Sequence, residues 1–185
     1  AFVRQPMRGR RVAYGLVVPN SPDFQSVGAP TDGRFGRVID RGRLVAGRSP
    51  DPAAPDEITV GEGLASRLGL AVRDDLEVES YSPAQIQQIL AGTPVVGPTA
   101  GPRLRLRVVG IVRRPLDLGE HTASGGLMVL SRAFGPHYGD RVGIFGDRIR
   151  LRTDRGAADV PEVVAASKRI LGDSFFIAQG LDNRA

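Results

Sequence analysis

With 185 residues, 41% hydrophobic and 24% charged, the chain has the make-up of an ordinary folded protein with room for one domain or two small subdomains. It contains no cysteine, which excludes disulfides, cysteine-held zinc or iron–sulfur centres and thiol nucleophiles. The formal charge is +5 and all but one of the 25 basic residues are arginine, yet aromatics reach only 5% with no Trp, so the stacking surfaces expected of a nucleic-acid binder are scarce. Apolar runs such as Leu127–Leu130 are far too short to span a bilayer. No signal peptide is legible and residue 1 is Ala, so a mature form or a domain of a longer protein is expected.

A strand is expected at 11–18, closed by the turn-forming residues 19–22, and short extended pieces at 37–39 and 43–45. Three prolines make 49–56 a surface loop. Residues 57–60 read as a β-branched strand, and Leu64, Leu68 and Leu70 as a short helix stopped by a left-handed Gly69. The chain turns at 72–75, and residues 76–79 alternate as a half-buried strand. Ser82-Pro83 starts a second helix with Ile86, Ile89 and Leu90 on its apolar face, ended by Gly92. Residues 81–102 thus form an insertion between strands. Residues 103–112 are the clearest strand in the chain, 127–130 a buried one, and 131–134 a helical turn capped by Ser131. A strand at 148–152 precedes a helix with Asp159 as N-cap and Glu162 three residues on. That helix carries Val160, Val163, Val164, Ile170 and Leu171 on one stripe and ends at Gly172, before a last strand at 175–177. The expected class is α+β: a strand-dominated mixed or antiparallel sheet with short helices.

Arg103, Arg105 and Arg107 share one strand face, which suits either phosphates or the carboxylates of a neighbouring strand. Glu77 and Glu79 supply such carboxylates if the two strands pair across the insertion, and this is the expected arrangement. Gly61-Glu62-Gly63 lacks the third glycine and the long helix of a dinucleotide site. His121 and His137 are the two histidines, near Glu120 and Asp140, without metal-ligand spacing. Ser124-Gly125-Gly126 has no nucleophile elbow, and Asp74-Asp75 sits in a turn. Arg4, Arg8, Arg10 and Arg11 form a basic terminus suited to anionic headgroups or to solvent. No catalytic residue, cofactor site or metal site is assigned.

The order strand, Leu-rich helix, Gly-Leu, turn, strand and apolar strand resembles the extracytoplasmic domain of MacB/FtsX-like ABC transporter permeases. The residues that carry it are Val45-Ala46-Gly47-Arg48-Ser49-Pro50-Asp51, the continuous stretch 57–76, Arg107-Val108-Val109-Gly110-Ile111-Val112 and Leu127-Met128-Val129-Leu130, in order within 35–180. The chain departs from the pattern at Arg73, where the family has glycine, and in the length of 81–102.

The resemblance implies a MacB-like periplasmic core fold, with residues 1–185 one extracytoplasmic domain lacking the βα unit that opens the family domain. It also implies a non-catalytic role without cofactors, at the cell membrane on the extracytoplasmic side. Implied partners are a cytoplasmic ATP-binding subunit reached through transmembrane helices, a permease homodimer mate, and an extracytoplasmic protein or a lipid or peptide substrate. Contact surfaces are expected on 119–126 and 81–102. The alternatives are a basic β-rich nucleic-acid-binding module and an enzyme built on the two histidines.

Overall fold

The computed structural model describes residues 9–19, 21, 25–35, 41–113, 126–151 and 153–172. They fall into a unit spanning Gly9–Ile149 and a second that begins at Arg150.

In the larger unit, the run expected as one strand at 11–18 is two, β1 (Gly9–Tyr14) and β2 (Leu16–Val17). Gly15 interrupts them by turning its backbone elsewhere: its N–H donates to the Gly143 carbonyl and its carbonyl accepts from the Tyr81 N–H, each at 2.9 Å. β1 pairs antiparallel with β3 (Gln25–Pro30), whereas β2 pairs antiparallel with β6 (Asp75–Ser80). The remaining strands are β4 (Arg43–Gly47), β5 (Glu57–Gly61), β7 (Leu104–Arg113), β8 (Gly126–Leu130) and β9 (Ile144–Arg150). Among the described residues the order is β2-β6-β7-β5-β8-β3-β1-β9, with β4 on β7. β1 and β2 are one continuous stretch of chain yet stand towards opposite ends of that order, so the sheet must curl round on itself.

β7 is the hub. β5 runs parallel along one edge, while the other is shared end to end by β6, opposite residues 104–107, and β4, opposite residues 110–113. This explains the change of pattern within the strand. Its first half alternates buried and exposed, and its middle, Val108 and Val109, is buried throughout. Ile58, Val60, Leu76, Val78, Leu106, Val108, Met128 and Leu130 form the centre of the core, each contributing roughly 1.5–3 kcal/mol by leaving water.

The helices are short. α1 (Glu62–Leu68) ends as expected at Gly69, whose φ of 64° lets the N–H groups of Gly69 and Leu70 close on the Ser66 and Ala65 carbonyls. α2 (Pro83–Leu90) starts with a full capping box between Ser82 and Gln85. α3 (Phe134–Tyr138) starts later than expected: the Ser131 carbonyl accepts the Phe134 N–H, while the buried Ser131 hydroxyl caps nothing and has no hydrogen-bond partner among the described residues. Phe134 fixes α3 by stacking edge-on to Tyr14, ring centres 4.9 Å apart. β9 extends upstream of the expected 148–152, because the Gly143 N–H donates to the Tyr81 carbonyl and leads the chain straight into it.

In the second unit a 3-10 turn (Gly156–Asp159) leads into α4 (Val160–Leu171). Asp159 holds the expected cap position but does not cap. Its backbone is already helical, and its carboxylate turns back to the Arg155 N–H at 2.9 Å and the Arg155 Nε at 2.7 Å. These bonds hold the carboxyl below the usual range. The expected strands at 37–39 and 175–177 lie outside the described residues. The class is α+β and strand-dominated. No helix among the described residues is long and apolar enough to cross a membrane.

Candidate functional site

The arginine face of β7 forms where the sequence places it, with one change of partner. β6 and β7 pair antiparallel, Glu77 opposite Arg105 and Asp75 opposite Arg107. Arg103 reaches Glu79 at 3.1 Å, but Arg105 and Arg107 both close on Asp75, at 2.9 and 3.1 Å. Asp75, expected in the turn, is the first residue of β6, and that register brings it between the two guanidinium groups. Asp74 stays in the turn and accepts the Ala71 N–H at 2.7 Å.

Next to this face lies an open cleft of about 590 Å3. Its walls come from Gly47-Arg48 at the end of β4, Glu57 at the start of β5, Val72-Arg73 before β6, and Arg107–Val109 of β7. Arg48 grips Glu57 with both terminal nitrogens, at 2.7 and 2.5 Å, and Glu57 also accepts the Asp51 N–H at 2.8 Å. Chiefly through the bond to Arg48, Glu57 is held below the ordinary carboxyl range. Arg73 is the one non-glycine with positive φ, 84°, among the described residues. Its N–H donates to the Val108 carbonyl at 2.7 Å, and its own carbonyl accepts from Arg107 Nη1. Its guanidinium makes no hydrogen bond or ion pair among the described residues.

A second, smaller cavity, about 200 Å3, is bordered by Pro30, Phe35, Leu44, Pro50 and Leu127. Arg10 and Arg11, neighbours on β1, part ways here through strand alternation. Arg10 turns outward to Asp147 at 2.5 Å, whereas Arg11 is only 2% exposed and lies with Cζ 5.5 Å from the centre of the Phe35 ring.

The other residues singled out in the sequence do not converge. Glu62, in the Gly61–Gly63 stretch, is held by Arg113 at 2.5 and 2.6 Å, so the first turn of α1 is occupied by a side-chain ion pair. His137 packs edge-on to Tyr138, ring centres 4.4 Å apart. Tyr138 Oη donates to Asp56 Oδ1 at 2.5 Å, and burial first, then that carboxylate, push the phenol up to about 12. His121, Glu120, Ser124, Arg4 and Arg8 lie outside the described residues, as does 119–125. Among the described residues no three His, Asp or Glu side chains gather as a metal site.

The insertion at 81–102 is tied down by Gln85, a residue the sequence reading passed over. Its Nε2 donates to the Pro98 carbonyl at 2.9 Å, and its Oε1 accepts the Ser82 and Ala100 N–H groups at 3.0 and 2.8 Å. Ser80 Oγ donates to the Pro102 carbonyl at 2.7 Å, and Thr99 Oγ1 to Glu79 at 2.9 Å. Val96, 93% exposed, stands out from the insertion. The Ser-x-x-Gln spacing was the available signal for this arrangement.

No protein-family model and no curated protein matches the chain. Among solved structures it is similar to a domain of a Porphyromonas gingivalis protein named as a permease. The identity is 15%, the TM-score 0.43, and the match covers 94% of this chain and 72% of that one. A likeness this loose carries no argument about function.

Proposed function

We propose that this chain is a non-catalytic extracytoplasmic domain of a MacB/FtsX-like ABC transporter permease. In this reading it contacts a substrate or partner protein outside the membrane and couples ATP-driven motion to transport or signalling. Coupling runs through transmembrane helices to a cytoplasmic ATP-binding subunit, with a second permease copy as mate. The observation that supports the reading is the stretch from Val45 to Leu130. There the residues carrying the family resemblance form, in order, the strand, Gly69-capped helix, alternating strand and buried hub strand that it requires. A nucleic-acid-binding module is the weaker reading, because Arg103, Arg105 and Arg107, which would carry it, each close on a carboxylate. Protease treatment of intact cells making the full-length native protein, with membrane fractionation, tests the proposal. Cleavage from outside in a membrane-bound protein is the expected result; protection together with a soluble cytosolic protein overturns it.

A further inference from the structure

We infer that the insertion at 81–102 is where a second copy of this chain binds, in a weak and reversible self-contact. Residues 80–102 are the longest run without a charged side chain, in a chain of which 24% is charged. Glu79 and Arg103 flank the run and pair with each other at 3.1 Å, so the base of the insertion is neutral as well. What it shows to solvent is uncharged: Gln87, Gln88 and Leu90 of α2, then Pro94 and Val96 of the loop. Val96, at 93%, is the most exposed large apolar side chain among the described residues.

The insertion is also held firmly. Ile86 is fully buried and anchors α2 where two glycines admit it. A Cβ on Gly143 would stand 2.2 Å from Ile86 Cγ1, and one on Gly15 2.8 Å from Ile86 Cδ1. Gln85 ties the loop to the start of α2, and the bonds of Ser80 and Thr99 fasten its far end. A surface fixed before contact loses little freedom on binding, and an uncharged apolar patch with a charged pair at its base has the anatomy of an interface core.

Charge decides the occupant. An acidic or basic protein, or an anionic lipid surface, would find no counter-charge on the insertion. Two copies of a chain with a formal charge of +5 repel each other, and a two-fold contact through its arginine-rich faces would set like charges across the axis. Near such an axis each residue meets its own image, and the insertion can do so without that penalty. The inference gives a surface to the second copy proposed above but does not rest on the permease reading, since it concerns this chain alone.

The test uses the 185-residue chain. Sedimentation equilibrium should show a monomer–dimer equilibrium with a Kd of roughly 0.01–1 mM, the weak end expected of a small patch. Over the same concentrations the amides of residues 87–97 should shift while those of β9 stay still. Val96→Asp sets a carboxylate against its own copy and should weaken dimerisation about tenfold or more, with an unchanged melting temperature because the side chain is 93% exposed. Ile170→Asp, the same change at an 81% exposed position of α4, should leave dimerisation as it is. A monomer at about 1 mM overturns the inference. So do amide shifts that spare the insertion, dimerisation undiminished in Val96→Asp, or equal weakening by Ile170→Asp. None of these results bears on protease cleavage of intact cells, so this inference and the permease reading fail separately.

Discussion

Two left-handed turns deliver hydrogen bonds to neighbouring carbonyls of β7, and they are built from opposite residues. After Gly47, φ 74°, the Arg48 N–H donates to the Val109 carbonyl at 2.8 Å; at Arg73, φ 84°, the residue's own N–H donates to Val108 at 2.7 Å. Both line the same cleft. They differ in what surrounds the α-carbon. A Cβ on Gly47 would stand 2.2 Å from the Val109 carbonyl oxygen, whereas Arg73 is an exposed residue. Sterics demand glycine at the first turn. At the second only the intrinsic penalty of the conformation has to be offset, roughly 1–2 kcal/mol, and two backbone-directed hydrogen bonds help to do it.

The largest effect is expected at the crowded turn. Gly47→Ala combines a disfavoured φ with a collision against backbone that cannot swing away, and should cost about 3 kcal/mol or more. Denaturant unfolding measures it, and a loss below about 1 kcal/mol would show that β4 can peel from β7 cheaply. Next comes the bond that holds the open turn. Arg107→Met keeps the aliphatic stem but removes the donor to the Arg73 carbonyl, for an expected loss of about 1 kcal/mol. Arg105→Met is the control: it gives up the same Asp75 but does not reach Arg73, and should cost less. Equal losses in the two variants would mean that Asp75 alone, not the grip on Arg73, is what matters.

The comparison also shows what sequence could and could not reveal. Gly69 was legible as a helix stop because helix ends favour glycine in that conformation, and the pairing of β6 with β7 followed from alternation and opposite charge. The break at Gly15 was not legible. Alternation runs straight through it, and the reason for the break lies in Gly143 and Tyr81, far along the chain. Asp159 and Ser131 illustrate a similar failure. Both occupy plausible cap positions, but Asp159 finds a better partner in Arg155, and the Ser131 hydroxyl is buried before α3 begins. Arg73 stood out as a departure from the sequence pattern that the chain resembles. That it holds a left-handed backbone at the edge of a cleft depended on β4, β5 and β7 meeting around it.

At the open turn the sign reverses. Arg73→Gly removes the left-handed penalty and should stabilise the protein by about 0.5–1 kcal/mol, less than the full penalty because glycine also frees the unfolded chain. A rise in the denaturation midpoint with an unchanged slope is the expected readout. A fall would mean that the exposed side chain makes a larger contribution to the fold than its lack of partners among the described residues allows.

The smallest effect is an acid sensitivity on the Gly47 side of the cleft. Glu57 has its carboxyl held below the ordinary value, first by the hydrogen bond from Arg48 and then, against the opposing effect of burial, by the Asp51 N–H and the Arg48 charge. A depressed folded value means the group stabilises the protein above its unfolded pKa, about 4.3, and that this contribution is lost as the pH falls through the lower folded value. A carboxyl-carbon NMR titration should therefore place the Glu57 midpoint below the ordinary carboxyl value, with the Arg48 and Asp51 amides moving in step. A Glu57 midpoint at or above the ordinary value would remove the Arg48 grip from the account of how β4 is fastened to β5.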